Sequence, residues 1–501
     1  MIAMGSSGRL GKSLALVLGA SLLVLAIASG VLAAKGTLIS QLMLAGLIGG
    51  ALMMLLPLPA FFSLIVVVTF IIQGTASYFL RFQPIAWLPY LLCALALVRV
   101  SLRIRQHDDK FRLGGADSWA ASLREPAMVC VVLYMITILF AITINTPPIS
   151  QVVVGLKNAL PIWVAALIML RCGGSSDFRD LLWRLLAIVF FIQVPLVLYQ
   201  HFVIVPARPD VTTAFDAVVG SFGGLIEAGG ANSTLVLFAL LVMSYELARF
   251  ARGSKNFSRL LLYGGVGLVI IFSGEVKAAF LWIPMAVIFV LRKKIFSSAV
   301  ALFATVAVVS VVMMGMFVAY SAMYWSKAPD RASGDMVERM AYFFDPYNVD
   351  PQTGEVSRGA SIGFWVNDTY TDTPRRLAGY GVGSSRVSTT GGLGEVAVRF
   401  VPFKIAATGI AMLLWDAGLI GLFAFVGIVV FGLITSIKAA RHPDLPSIEA
   451  ARLDALSVYF LIALTLLFYN TSLLEDPSTQ LLLAIAVGYV CATRSRLRAG
   501  S

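Results

Sequence analysis

The chain has 501 residues, of which 59% are hydrophobic and only 13% are charged. In soluble proteins roughly a quarter of all residues are charged. This composition therefore excludes an ordinary soluble globular protein and makes lipid the solvent for much of the surface. The net charge of +12 is typical of basic cytoplasmic loops in a membrane protein and does not by itself indicate a nucleic-acid partner.

Apolar stretches of about 20 residues, the length that spans a bilayer, follow one another along the chain. About fourteen are predicted, or twelve to thirteen if the second and third form one hairpin broken at Pro57 and Pro59. The segments are 13–33, 38–56, 61–79, 85–102, 127–144, 152–170, 185–205, 233–247, 260–271, 278–291, 296–320, 408–437, 456–469 and 481–490. The predicted fold class is therefore an all-α polytopic integral membrane protein.

The basic residues between these segments predict which side each connection faces. If the N-terminus is cytoplasmic, the cytoplasmic connections fall at 103–126, 171–184, 248–259, 292–295, 438–455 and 491–501, and these hold the arginine and lysine clusters. A wrong helix count would break this agreement. We therefore expect a multi-pass protein of the bacterial inner membrane with both termini in the cytoplasm.

Two of the connections on the other side are long, at 206–232 and 322–407. The second has balanced charge, many glycines and aromatic residues that can pack a small subdomain. We therefore divide the chain into N-terminal transmembrane helices (1–321), one large ordered periplasmic loop (322–407) and C-terminal transmembrane helices (408–501). A large ordered loop is where chemistry or recognition is first expected.

The large loop combines a predicted short amphipathic helix at 358–370, which carries Ile362 and Trp365 on one side, with two arginines and a glycine run. Arg375 and Arg376 precede the sequence Gly-Tyr-Gly-Val-Gly-Ser-Ser at 379–385. The backbone N–H groups of such a run can face an anion, and arginines bind phosphate oxygens bidentately. A plain glycine-rich turn with solvated arginines is the alternative, and spacing alone favours it.

A second candidate lies between two predicted spans, where Glu275 and Lys277 border the hydrocarbon. Charged groups at that depth cost free energy unless they are paired or used, so a functional role and a snorkelling lysine are both open. Lys157, Glu227 and Asn232 are weaker candidates of the same kind. Glu475 and Asp476 are interpreted as caps of a helix hairpin.

The scattered cysteines and histidines argue against a metal centre. The four cysteines form no CxxC pair and the three histidines form no HxxxH pair. The sequence therefore predicts no metal and no cofactor.

Several short motifs occur in an order that resembles the O-antigen polymerase and ligase superfamily of bactoprenol-linked glycan transferases. They cover the C-terminal two thirds of the chain. They are Tyr199-Gln200, Gly220-Ser-Phe222 with Asn232, Phe272-Ser-Gly-Glu-Val-Lys277, Arg358 with Trp365, Pro374 and Gly379-Tyr-Gly-Val-Gly383, and Trp415-Asp416-Ala-Gly418-Leu-Ile-Gly421. Ligases of this type commonly carry His-Asn ahead of the last motif. Ala407 and Thr408 stand near those places here, which favours a polymerase over a ligase.

The resemblance implies a GT-C-like, metal-independent membrane glycosyltransferase. Its donor is a polyprenyl-pyrophosphate-linked oligosaccharide, its acceptor is a glycan, and membrane lipid, chain-length regulators and export proteins are further partners. The residues that it places at the site are Lys277, Glu275, Arg376 and Arg358 as catalytic groups and Arg375, Arg399, Arg208, Trp365, Gly381 and Gly383 as substrate ligands, with Arg339 in reserve. Glu275, Glu227 and Asp368 are the candidates for a general base. A ligase, a lipid-linked-sugar flippase and a non-catalytic export subunit remain alternatives.

Overall fold

A computed structural model describes residues 49–50, 53–101, 122–208, 214–225, 229–274, 276–320, 344–388 and 392–500. Within these ranges nine helices are long and apolar enough to cross a membrane. This confirms the prediction of an all-α, multi-pass membrane protein. The first predicted span and most of the second lie outside the described residues, as do Glu227, Glu275 and Arg339.

We number the helices in chain order. They are α1 Leu58–Phe79, α2 Gln83–Ser101, α3 Pro126–Asn145, α4 Ile149–Cys172, α5 Ser176–Ala207, α6 Asn232–Ala251, α7 Phe257–Ser273, α8 Ala279–Ile295, α9 Ala299–Tyr320, α10 Arg358–Asn367, α11 Thr373–Ala378, α12 Glu395–Arg399, α13 Gly409–Ala439, α14 Ser447–Tyr469, α15 Ser472–Glu475 and α16 Pro477–Gly500. Two antiparallel pairs of two-residue strands complete the described structure, β1 Gly224–Leu225 with β2 Gly229–Gly230 and β3 Val387–Ser388 with β4 Gly392–Leu393.

Local sequence explains where several helices begin. Pro126 and Pro477 are the first residues of α3 and α16, a position where proline's missing N–H costs nothing and its fixed φ suits the helix. Thr408 caps α13, because its hydroxyl accepts a hydrogen bond from the N–H of Ala411 at 3.0 Å. The centre of the bundle is formed by α6 and α14, which contact each other and are mostly buried, whereas α9 lies at the edge.

The helix ends form two opposite faces. We call one the basic face, because the starts of α5 and α14 meet the ends of α6 and α8 there through arginine–carboxylate contacts. Glu449 contacts Arg179 at 2.9 Å and Arg452 at 2.7 Å, and Asp454 contacts Arg252 at 2.7 Å. Clusters that the charge pattern assigns to one side of the membrane thus lie together, while the compartment that this face meets stays a prediction.

The opposite face carries the large loop, and we call it the loop face. Helices α10 and α11 pack on α13, and α11 also contacts α3. A second apolar cluster, separate from the bundle core, joins the loop to the start of α13 through Trp365, Tyr380, Val396, Ile405, Leu414 and Trp415. The predicted short helix beginning at Arg358 is confirmed, with Trp365 buried and Ile362 packed against the same cluster.

A buried turn at 217–222 is held between α1 and α5. Gln200 donates a hydrogen bond to the carbonyl of Gly220 at 2.9 Å and accepts one from the Gly220 N–H at 2.7 Å. Ser221 donates to the carbonyl of Phe70. Both Gln200 and Phe70 lie in π-helical turns, which depart from regular backbone pairing. Two of the motifs in the family resemblance, Tyr199-Gln200 and Gly220-Ser-Phe222, are therefore in direct contact.

Candidate functional site

The glycine run at 379–385 does surround an anion, and that anion is the side chain of Asp416. The Gly383 N–H donates to Asp416 Oδ2 at 2.8 Å, and the Ser385 N–H donates to Oδ1 at 3.0 Å. The hydroxyls of Ser384 and Ser385 donate to Oδ1 at 2.9 and 2.8 Å. Successive N–H groups in a turn form such anion-binding concavities. The buried carboxylate thus has four neutral donors.

Two glycines with positive φ allow the run to reach α13. Gly379 has φ 79° and Gly418 has φ 65°, and Gly418 interrupts α13 with a kink. A Cβ on Gly379 would lie 2.4 Å from the Ala417 nitrogen, and one on Gly418 would lie 2.4 Å from the Leu377 carbonyl carbon. Only glycine permits this backbone approach together with this φ.

This contact changes what can be expected of Gly381 and Gly383. The Gly381 N–H donates to the Asp416 carbonyl at 3.0 Å, and the Gly383 N–H donates to its carboxylate. An incoming anion would have to displace Asp416 from both. In this structure the two glycines position the loop on α13, and a contact of either with substrate stays a prediction.

Arg375 and Arg376 lie side by side on α11 and are held by aromatic rings and neutral oxygen atoms. Arg375 Nε donates to Asn145 Oδ1 at 3.3 Å, and its guanidinium lies 5.0 Å from the ring centroid of Tyr380. Arg376 donates to the Asp368 carbonyl at 2.8 Å and lies 5.2 Å from the ring centroid of Trp365. Neither forms a salt bridge within the described part of the chain.

Arg399, by contrast, is paired. Its guanidinium donates to both carboxylate oxygens of Asp368 at 2.8 and 2.9 Å and to the Tyr380 hydroxyl at 3.1 Å. Burial opposes ionisation of Asp368, but hydrogen bonds from Thr371 and Arg399 outweigh it and hold the pKa of this carboxyl below its usual value. A carboxylate stabilised in this way is a weak general base.

Arg358 and Lys277 lie on another side of the loop face. Arg358 Nε donates to the Tyr469 carbonyl at 3.2 Å, and its guanidinium lies 5.7 Å from the Tyr469 ring. The same ring contacts Trp282 in α8, with 5.8 Å between centroids. Lys277 is exposed and lies in the turn before α8, five residues ahead of Trp282. Arg208 follows α5, whose end packs against the 214–217 turn.

Arg386 is a candidate that motif reading missed. Its side chain is 11% exposed, and its Nε lies 3.5 Å from Glu475 Oε1 and 4.0 Å from Asp416 Oδ2. It also donates to the Leu474 carbonyl at 3.4 Å. In the sequence, its position directly after the glycine run could have indicated that Arg386 belongs to the same site. Glu475 therefore pairs with this arginine and does more than cap a helix.

Two of the loop arginines, Arg358 and Arg386, meet the membrane helices at one short connection. Arg358 donates to Tyr469 and Arg386 to Leu474, which lie on either side of the turn from α14 to α15. Asp476 ends this connection and caps α16, as expected, by accepting from the Thr479 N–H at 3.2 Å.

Lys157, a weaker candidate from the sequence, lies nearby on α4. Its Nζ lies 4.5 Å from the Trp87 ring centroid and 4.9 Å from that of Tyr90. The Tyr90 hydroxyl donates to the Glu475 carbonyl at 3.3 Å. Lysine, arginine and carboxylate thus converge where the loop meets α2, α4 and the α14–α16 connection.

A cleft of about 380 Å³ opens in the loop beside Asp368. Aromatic rings and polar groups line it together, among them Tyr347, Phe364, Asn367, Asp368, Tyr370 and Phe400. Tyr347 is 86% exposed and Tyr370 is 82% exposed, so both rings present large surfaces to solvent. Arg399 lies 5.6 Å from the Tyr370 ring and joins this cleft to the Asp368 pair.

No protein-family model matches the chain, and a search of curated proteins finds no match. Within the described ranges, no group of three or more His, Cys, Asp and Glu side chains is placed to hold a metal ion.

Proposed function

We propose that this protein is a polysaccharide polymerase that transfers oligosaccharide units from a polyprenyl pyrophosphate to an acceptor glycan. The proposal includes a GT-C-like fold of about 12–14 spans in a bacterial inner membrane, with the loop face in the periplasm. The observation that carries it is a pair of neighbouring arginines at the loop face whose side chains have no carboxylate partner among the described residues. The guanidinium groups of Arg375 and Arg376 form no salt bridge with the described carboxylates and are held by Asn145 and the Asp368 carbonyl.

Two adjacent guanidinium groups without a carboxylate partner suit a pyrophosphate leaving group. The acceptor hydroxyl oxygen forms a bond to the anomeric carbon, the bond from that carbon to the pyrophosphate oxygen breaks, and its electron pair stays on the pyrophosphate. The departing group needs fixed positive charge, which arginines supply without a proton transfer. Trp365 and Tyr380 hold the two guanidinium groups in place. Arg358, Arg399 and Lys277 keep the roles that the family resemblance implies.

The hydroxyl proton needs an acceptor. Asp368 is a poor one, because its hydrogen bonds lower its pKa. Glu475 is 39% exposed and lies beside Arg386. We assign the proton to Glu475, and Glu275 and Glu227 keep the roles that the family resemblance implies.

The aromatic cleft is the proposed acceptor site. A sugar ring presents apolar C–H faces and hydroxyl edges, so exposed rings and nearby polar groups suit it. Tyr347 and Tyr370 supply the rings, and Asn367 supplies an amide. Substitution of both tyrosines by alanine should shorten the polymer without trapping the donor on the cytoplasmic side.

The deciding experiment compares lipid-linked intermediates in cells that lack the protein and in cells that carry Arg375→Gln with Arg376→Gln. Removing a charge-assisted contact costs about 1.5–3 kcal/mol, or roughly tenfold or more in rate for each. Single repeat units should accumulate on the exported carrier. Arg441→Gln, an exposed arginine at the basic face, is the matched control and should leave chain length unchanged.

Other outcomes would assign another function. Full-length polymer that stays on its lipid carrier would indicate a ligase, and intermediates trapped on the cytoplasmic side would indicate a flippase. A normal polymer in the double variant, with normal protein level, would favour a non-catalytic export subunit. Each of these results contradicts the polymerase proposal.

A further inference from the structure

A cavity of about 540 Å³ lies near the basic face, between α5, α6, α7 and the start of α14. It is on the opposite side of the bundle from the loop and shares no residue with the proposed glycan site. One wall is apolar and includes Leu186, Ile188, Phe191 and Val242. Ile188 is 55% exposed, so this wall continues onto the outer surface of the bundle.

The other end of the cavity is rich in arginine. Arg184, Arg249, Arg259 and Arg452 line it, and the acidic residues that line it are Asp180 and Glu246. Arg249 and Arg259 both contact Glu246, at 3.0 and 2.8 Å. Arg452 contacts Asp180. The arginines therefore exceed the carboxylates by two among the lining residues, although Arg452 also contacts Glu449, which is not part of the lining, at 2.7 Å.

Two of these arginines have unused donors. Arg452 is 3% exposed, and its Nε has no hydrogen-bond partner among the described residues. The Arg259 Nε is likewise buried without one. A buried donor without a partner costs free energy, so its presence beside a cavity points to a ligand that accepts hydrogen bonds. Arg184 is exposed and forms no salt bridge within the described ranges.

We propose that this cavity binds an anionic phospholipid. The phosphate lies among Arg184, Arg259 and Arg452, and an acyl chain follows Leu186, Ile188 and Phe191. A basic pocket between transmembrane helices is a recurring site for anionic headgroups. The apolar wall selects a lipid over a free phosphate, because phosphate would leave that wall unfilled. This inference does not depend on glycan transfer.

Binding is tested on the full-length protein in neutral detergent, with phosphatidylglycerol and phosphatidylcholine as probes. Lipid retained by the protein is counted by native mass spectrometry, and thermal unfolding is followed in parallel. We expect phosphatidylglycerol to be retained more strongly and to raise the unfolding temperature. Equal retention of the two lipids would overturn the proposal, as would the same stabilisation by inorganic phosphate alone.

Two variants probe the two ends of the cavity. Arg184→Gln with Arg259→Gln removes charge, and Ala187→Phe fills space, because Ala187 lines the cavity. Each should weaken phosphatidylglycerol binding about tenfold, whereas Arg441→Gln, which is basic but outside the cavity, should not. Unchanged binding in both variants, or an equal loss in Arg441→Gln, would overturn the site. If the variant with Arg184→Gln and Arg259→Gln unfolds in the absence of lipid, the phosphatidylglycerol binding of Ala187→Phe decides whether the site exists.

Discussion

At the basic face, the described carboxylates Glu125, Glu246, Glu449 and Asp454 each contact two arginines. At the loop face, Asp416 and Asp476 are held mainly by backbone N–H groups and hydroxyls. The same residue types are thus used in two ways. Most of the arginines at the basic face join helices through these carboxylates, whereas Arg375 and Arg376 at the loop face form no salt bridge with the described carboxylates.

The difference has a structural cause. The basic face joins helix ends that come from distant parts of the chain, and long arginine side chains bridge such gaps. The loop face brings backbone against backbone, because Gly379 and Gly418 allow close approach. Backbone N–H groups then reach Asp416 directly, while the Nε of Arg386 stays 4.0 Å from its carboxylate.

The largest effect is expected when a carboxylate of the basic face is removed. Glu449→Ala leaves Arg179 and Arg452 facing each other in a buried position, with side chains 6% and 3% exposed. Loss of one partner of a buried pair costs on the order of 3–5 kcal/mol in the free energy of unfolding. Denaturant unfolding in mixed micelles measures it. Asp444→Ala, which removes a carboxylate that is 84% exposed, should change nothing; an equal loss in both would contradict the comparison.

Asp416→Ala should have the next largest effect. It leaves the N–H groups of Gly383 and Ser385 and two hydroxyls without an acceptor. An orphaned buried donor costs about 1–3 kcal/mol, and because water can enter beside the loop we expect about 3 kcal/mol in total. Limited proteolysis should show the loop cut while the helices resist. Asp416→Asn, which keeps one acceptor oxygen, should be milder; a loop as resistant as in the wild type would exclude the role of Asp416.

Gly418→Ala tests the backbone approach without touching any charge. The added Cβ meets the Leu377 carbonyl and a φ of 65°, and such strain costs about 1–3 kcal/mol. The loop should again become sensitive to protease. The matched control is Gly264→Ala in α7, where a Cβ would meet nothing within 4 Å; equal sensitivity in the two variants would show that the kink is not needed.

The smallest effect is expected at Asp368, whose partner Arg399 is 31% exposed. Asp368→Asn should destabilise the loop by about 1 kcal/mol, because partly exposed pairs contribute little. The folded pKa of Asp368 lies below its usual value of about 3.9. Its contribution is therefore present above that value and is lost as the pH falls through the folded pKa. The rates at which protease cuts the wild-type and variant loops should become equal at low pH. A difference in rate that does not change with pH would contradict the pairing of Asp368 with Arg399.

Hydropathy located the apolar centres of the spans well, but it misplaced helix ends at the basic face. The predicted span 61–79 agrees with α1 within three residues, but 185–205 and 456–469 each start nine residues late. The missing turns contain Arg179 and Glu449, which hydropathy assigns to connections. In the fold these two residues pair with each other at 2.9 Å, so the helices continue through charged turns.

The candidate site was also predicted only in part. The glycine run and the Trp415-Asp416-Ala-Gly418 motif were both recognisable from local composition, since turns and helix starts have local signatures. Their contact was not, because Gly383 and Asp416 are 33 positions apart and the donor partner of a carboxylate depends on the folded backbone. Arg386 was missed for the same reason.

The sequence by itself determined that this is a multi-spanning helical protein, and it predicted which connections are basic, because hydropathy and charge act residue by residue. Tertiary structure alone decided which anion fills the glycine run and which arginines are left without a carboxylate. Those outcomes depend on distances of a few ångströms between remote segments, and the energy of a charge contact is set by that distance and by burial.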